Sequence, residues 1–435
     1  MGLAISVDLA QRLSSLLGTE VDDLQRMLGG ASRETWAFRA GTDELVARCD
    51  PPGAPHAGAM ALEAALLRPA DAAGVPVPQV VAAAADMIVV RRLSGETLAR
   101  RILRDDTYAK ARERLTEQCG QALARLHTKV SPDDVPGLPV EGDSLDGMRL
   151  MLDELGEPHP ALELGLLRLS RSRPSAVGRT LVHGDFRLGN LMVDADGLVG
   201  VLDWELAHVG DPAEDLGWLC VPSWRFGGPH PVAGVGTREE LLSAYNDAGG
   251  LAIDEPTLRW WETYGTLRWG VICVRQAAAH LTGAVRSVEL AAIGRRTCEV
   301  ELDLLEELGQ SDLDQPVRTP PPELVPEPLT SLHDRPTAGE IVEAVREWIE
   351  QLQLHGHDAF LARVSTRALK IVERELAAPA LEQRHRERLD ALGVADDAEL
   401  AAQVRDGRDD ADTVGAIRAA VIDKLSIADP RLLER

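Results

Sequence analysis

The sequence predicts an α+β chain in three parts: a small mixed lobe, a larger helical lobe, and a small all-helical domain behind them. Three observations carry this. Alternating apolar segments occur before residue 95 and again in one hairpin between 181 and 202. Helical spacing fills most of the remainder. A proline-rich polar stretch, from Gln315-Pro316 through Thr319-Pro320-Pro321-Pro322 to Pro328, favours stiff extended chain and marks a boundary. The expected parts are therefore residues 1–95, 96–310, a linker 311–335, and 336–435.

A leucine-spaced segment from about residue 7 to 28 reads as a helix leading into Gly29-Gly30-Ala31-Ser32. Alternation around Trp36-Phe38 and Leu45-Val46-Ala47-Arg48 reads as two strands. The next helix, roughly 60 to 72, stops at Gly74-Val75-Pro76-Val77-Pro78, where two prolines forbid helical continuation. A strand follows at Met87-Ile88-Val89-Val90, and residues 107 to 127 form a long amphipathic helix. Beyond the linker, Thr337-Ala338-Gly339-Glu340 has capping-box spacing, and Ile341, Val345, Trp348 and Leu352 follow on one helical face. Further helices are expected near 358–376, 380–392, 397–405 and 412–426.

Composition excludes several functions. The chain has 435 residues, 45% hydrophobic and 27% charged, enough to bury an ordinary core. A formal net charge of −24 argues against nucleic acid or an anionic membrane as partner, since both would be repelled. The five cysteines are scattered and odd in number, so they read as small core residues of a cytoplasmic protein. The N-terminus lacks a basic segment followed by an apolar core, and Gly2 with Ser6 fits a myristoylation pattern only formally. No lysine precedes Lys110, so a cation needed in the first lobe must be arginine.

The chemistry sits in Leu181-Val182-His183-Gly184-Asp185-Phe186-Arg187-Leu188-Gly189-Asn190, where a carboxylate and a carboxamide stand five residues apart after a short strand. Leu191-Met192-Val193, the turn Asp194-Ala195-Asp196-Gly197 and Leu198-Val199-Gly200-Val201-Leu202 then read as a hairpin. Its open ends carry Asn190 and Asp203, two hard oxygen ligands that suit magnesium, while Asp185 stays on the loop entering it. Protein kinases use the same logic: a catalytic-loop Asp, an Asn five residues later, and a metal-binding Asp after a hairpin.

On His183-Gly184-Asp185, Asp203-Trp204-Glu205 and Gly210-Asp211-Pro212-Ala213-Glu214-Asp215-Leu216, the chain resembles the aminoglycoside phosphotransferase-like, or choline kinase-like, small-molecule kinases. The resemblance runs from about residue 7 to 305. Arg48-Cys49-Asp50-Pro51-Pro52-Gly53 and Asp203-Trp204-Glu205-Leu206-Ala207 place it near the kinases fused to acyl-CoA dehydrogenases, and the last domain resembles an uncharacterised one found behind such kinases. The resemblance implies a two-lobed protein kinase-like fold using ATP or GTP with Mg2+. It implies that Asp185 accepts the proton of the attacking hydroxyl, that Asn190 and Asp203 bind the metal, and that His183 and Asp215 brace the loop. In the small lobe it implies Gly29, Gly30 and Ser32 as the turn over the phosphates, Arg48 in place of the usual lysine, and Glu63 as its helix partner. Val90 and Arg91 fall at the hinge, where adenine binding depends mainly on backbone groups.

The acceptor expected from that branch is a hydroxyacyl thioester or another hydroxylated metabolite; the net charge would instead suit a cationic aminoglycoside, as in antibiotic-modifying kinases of aminoglycosides or macrolides. The rival class is a non-catalytic nucleotide-binding or scaffold protein, motivated by Arg48 and the appended helices. Those helices are also the expected surface for any homo-oligomer. The aromatic-rich segment Trp260-Trp261-Glu262-Thr263-Tyr264-Gly265-Thr266-Leu267-Arg268-Trp269 reads as core or as the wall of an acceptor pocket, Glu205 as a metal neighbour or a helix-start carboxylate, and His355-Gly356-His357 as a helix junction, not a metal site.

Overall fold

The computed structural model describes residues 2–27, 34–50, 59–309 and 336–434. Gly29, Gly30, Ser32 and the proline-rich stretch lie outside the described residues. By contact density the chain divides into two compact units: Met1–Glu141 with Pro174–Glu262, and Gly142–Arg173 with Thr263–Arg435. This division cuts across the expected boundaries near 95 and 310.

In the first unit, strands β1 (Val21–Arg26), β2 (Glu34–Ala40), β3 (Asp43–Cys49), β4 (Val80–Ala84) and β5 (Met87–Arg91) form one antiparallel sheet in the order β1-β2-β3-β5-β4. Its two faces follow from side-chain alternation. Leu45, Ala47 and Cys49 of β3 and Met87 and Val89 of β5 pack with Trp36, Phe38, Leu9 and Leu13 into a buried core on one face. The intervening residues, Val46, Arg48, Ile88 and Val90, line a cleft on the other. The register pairs Val46 with Val90 and Arg48 with Ile88, which fixes Arg48 beside the apolar floor.

The helix expected to run to residue 28 ends at Leu17. Gly18 leaves helical geometry at φ 70°, which glycine adopts without a Cβ clash. Residues 21–26 then pair with β2 across an irregularity between Asp22 and Gln25, where Asp23 takes φ 54°. Leu13, Leu16, Leu17, Val21 and Leu24 all pack on the same core, so their helix-like spacing spans a helix and a strand.

Among the described residues four short strands complete the unit: β6 (Thr180–Val182), β7 (Leu191–Val193), β8 (Leu198–Val201) and β9 (His208–Gly210). The pair β7–β8 is the expected hairpin, closed by Asp194 N donating to Gly197 O at 2.9 Å. Strand β6 pairs instead with β9, matching Val182 with His208. The helix Ala213–Cys220 starts after Asp211, whose Oδ1 accepts from Ala213 N at 2.9 Å. Glu205 lies in an exposed turn before β9 and starts no helix.

The second unit is helical among its described residues. Helices Pro160–Arg171 and Thr297–Leu308 share a buried core with Ala380–Leu392, Asp397–Arg405 and Ala411–Ala428, through Leu164, Leu305, Leu389, Leu400, Val404, Ile417 and Val421. Arg405 clamps the buried Glu163 carboxylate and also pairs with Asp153 at 2.7 Å. The helices after residue 336 are thus held to helices that precede the proline-rich stretch. The Thr337–Glu340 capping box is formed in both directions, and His355 precedes the helix Gly356–Leu376, as the junction reading has it. Trp260, Trp261 and Tyr264 are buried in the helix Glu255–Leu281, which favours their core reading, while Trp269 of the same helix is only partly buried. All five cysteines are buried free thiols, and no helix among the described residues is long and apolar enough to cross a membrane.

Candidate active site

The loop from β6 to β7 is positioned by its backbone. The buried carboxylate of Asp215 accepts from His183 N at 2.8 Å and Gly184 N at 2.9 Å, so the helix Ala213–Cys220 grips the loop directly. His127 Nε2 lies 3.1 Å from Asp215 Oδ2, and its Nδ1 lies 3.0 Å from the Tyr245 hydroxyl. Burial alone would raise the Asp215 carboxyl; the His127 hydrogen bond and the loop N–H groups outweigh it and hold it below the usual carboxylate range. Burial likewise lowers the His183 imidazole. That ring is neutral in its bonding: Nε2–H donates to Leu202 O at 3.1 Å, and Nδ1 accepts from Asp185 N at 3.2 Å. His183 therefore ties the Asp185 loop to the open end of the hairpin at Leu202.

Asp185 is fixed from both sides. Its Oδ1 accepts from Trp218 Nε1 at 2.8 Å and Arg187 Nε at 2.9 Å, and its Oδ2 accepts from Asn190 Nδ2 at 2.6 Å. The Arg187 guanidinium lies over the Trp224 ring at 4.7 Å, a cation–π contact that holds it beside the carboxylate. Asn190 O accepts from Leu202 N at 2.9 Å, which closes the open end of the hairpin and sets Asp203 next to it. Asp203 adopts φ 65°, a conformation that L-residues rarely take and that recurs at functional positions.

Arg48, Glu63, Val90, Arg91, Asn190 and Asp203 all line one cleft of about 500 Å³. Arg48 pairs with the buried Glu63, and its Nη2 lies 3.7 Å from Asp203 Oδ1. The cation on the strand thus reaches both the helix carboxylate and the hairpin carboxylate. Val46, Leu67, Ile88, Val90, Met192 and Leu202 supply the apolar part of the cleft lining. Arg91 turns its guanidinium away, to Asp43 at 2.9 Å and Gln79 at 2.9 Å. Asp185 is not among the lining residues and meets the cleft through Asn190.

Sequence reading did not find Trp218, His127, Tyr245 or Glu96, nor a role for Arg187. Glu96 lines the cleft and exchanges backbone hydrogen bonds with Val193, so it ties the chain after β5 to the hairpin. His127 carried the only available signal, a polar ring on the apolar face of an amphipathic helix.

Residues 23–261 match the model of the phosphotransferase enzyme family, and residues 352–432 match a domain of unknown function, DUF6285. Mouse acyl-CoA dehydrogenase family member 10 is 28% identical over 248 residues, which are 50% of this chain and 22% of that protein. Human acyl-CoA dehydrogenase family member 11 is 26% identical over 251 residues, 51% of this chain and 32% of that protein. The chain spans less than a third of the length of either relative. The crystal structure of a candidate aminoglycoside phosphotransferase from Ralstonia eutropha aligns with a TM-score of 0.55 at 19% identity, covering 69% of this chain and 97% of that one. At that identity the likeness is one of fold.

Proposed function

The chain belongs to the phosphotransferase enzyme family, and we propose that it is a small-molecule kinase that transfers the γ-phosphate of ATP or GTP to a hydroxyl group, with Asp185 as general base. The observation that carries this reading is the set of hydrogen bonds on Asp185. Trp218 and Arg187 fix Oδ1, while Oδ2 receives one bond from Asn190 and keeps a lone pair for an incoming hydroxyl. As the new oxygen–phosphorus bond forms and the bond to the nucleoside diphosphate breaks, the hydroxyl proton passes to Asp185.

Asn190 and Asp203 fit a magnesium site by donor chemistry: a carboxamide and a carboxylate oxygen, both lining the cleft at the hairpin's end. When bound there, the ion neutralises phosphate charge. Arg48 retains a full positive charge for the phosphates, and Glu63 and Asp203 hold its planar head in place. The apolar pocket against Ile88 and Val90 would take the base. The acceptor is proposed to be a hydroxyacyl thioester, which the acyl-CoA dehydrogenase names of the two relatives favour.

The test is phosphorylated product, detected by mass spectrometry, from a panel of hydroxyacyl thioesters, aminoglycosides and macrolides with ATP or GTP and Mg2+. Product from a hydroxyacyl thioester supports the full reading. Product from an antibiotic alone keeps the kinase and replaces its acceptor, and none from any member removes the acceptor class altogether.

A further inference from the structure

Away from the residues that line the cleft, three side chains converge in the first unit. His208 Nε2 lies 2.9 Å from Glu141 Oε2 and 3.2 Å from Glu214 Oε2, and one ligand atom from each residue falls within 4.8 Å of the others. Strand β9 assembles them. It carries His208 and pairs with β6 on one side, and on the other Val209 N donates to Pro139 O at 2.8 Å while Val209 O accepts from Glu141 N at 3.3 Å. Glu214 comes from the first turn of the helix Ala213–Cys220.

Three features favour an ion at this point. His208 Nδ1–H donates to Leu206 O at 2.9 Å, which fixes the ring and aims Nε2 at the carboxylates; histidine ligands of metals are oriented in this way. The nitrogen–oxygen separations are hydrogen-bond distances, a few tenths of an ångström or less short of the about 3.3 Å between neighbouring ligand atoms of a tetrahedral zinc with bonds of about 2.0–2.1 Å, so little side-chain movement would admit the ion. A Cβ at position 210 would fall 2.7 Å from His208 Nε2, so Gly210 keeps the flank of that nitrogen open. Glu214 and His208 are buried, whereas the Glu141 side chain is 31% exposed and leaves a route to solvent.

We propose that Glu141, His208 and Glu214 form a metal site, separate from the Asn190–Asp203 end of the hairpin, that takes a transition-metal dication such as zinc. The imidazole selects such an ion over magnesium, which demands oxygen ligands. Three protein ligands leave a fourth position for water. Metal entry displaces the Nε2 proton now shared with the two carboxylates, and that proton leaves to solvent. The ion would brace the Asp185 loop, because Gly184 packs on this segment: a Cβ there would meet Leu206 O at 2.4 Å and His208 Nδ1 at 3.2 Å.

The test is zinc titration of the chelator-stripped full chain in excess magnesium, read by competition with a chromophoric chelator. One equivalent should bind, with affinity at least about tenfold weaker in Glu141→Gln and in His208→Asn and unchanged in Asp203→Asn. Glu141→Gln lies at the surface and decides the matter alone if His208→Asn does not fold, as judged by circular dichroism. Absence of stoichiometric zinc, or an affinity unmoved by Glu141→Gln, overturns the site.

Discussion

The indole N–H of Trp218 donates to Asp185 Oδ1 at 2.8 Å, from a helix that also supplies the Asp215 grip on the loop backbone. The Trp218 ring packs 5.3 Å from Trp224, whose own ring lies under Arg187. A charge-assisted bond of this kind is worth about 1.5–3 kcal/mol, or roughly ten- to a hundredfold in rate if it acts in the transition state. Trp218→Phe keeps most of the packing and removes the donor. Steady-state kinetics should give a kcat lowered by about that factor with nucleotide KM little changed; a raised KM at constant kcat would assign Trp218 to binding instead.

Gly184 sits at φ 78° with the space for a Cβ taken by Leu206 O at 2.4 Å. Alanine there meets both a disfavoured backbone conformation and a rigid carbonyl. Gly184→Ala should lose about 2–4 kcal/mol of stability, seen as a lower melting temperature, together with activity. Alanine at Gly137, also at positive φ but with nothing near its missing Cβ, should show only the smaller backbone effect.

Arg48 bridges Glu63 and Asp203 with two different nitrogens. Lysine has one ammonium and cannot hold both at once, so Arg48→Lys should raise nucleotide KM by about tenfold while the fold survives. Arg48→Ala removes the guanidinium that pairs with the buried Glu63 and should destabilise by about 3 kcal/mol in chemical denaturation.

The pH dependence follows from two shifts of the same direction. Burial lowers the His183 pKa from its ordinary 6.5, so between the two values the unfolded chain binds more protons than the native one. Its contribution is present above pH 6.5 and lost as pH falls below it. Asp215, held below its ordinary 3.8, adds a contribution that is lost only below that value. Melting temperatures measured across acid pH should therefore fall in two stages, and His183→Asn should flatten the first, just below pH 6.5, while leaving the second.

The hairpin was legible because turn chemistry and apolar content are local: Asp194 to Gly197 closes it, and closure alone brings Asn190 to Asp203. Strand alternation likewise marked the segments that carry Arg48 and Val90 as strands; that both face the cleft came from their register. What was not legible depends on partners distant in sequence. His127 and Asp215 are 88 positions apart, and neither has a neighbour that announces the pairing. Trp218 reads as one more core aromatic until its indole nitrogen is seen against Asp185. Residues 21–26 misled for a different reason, since leucines packing on one core kept helical spacing across a break that only Gly18 marks.

The central claim is that Asp185 takes the proton of the acceptor hydroxyl, and it is tested most directly by comparing wild type with Asp185→Asn for Mg2+-dependent phosphoryl transfer and for nucleotide binding. Turnover should fall by about a hundredfold or more in the variant, with nucleotide affinity essentially kept. Equal turnover in the two proteins, or nucleotide binding with no Asp185-dependent turnover on any acceptor, would contradict it.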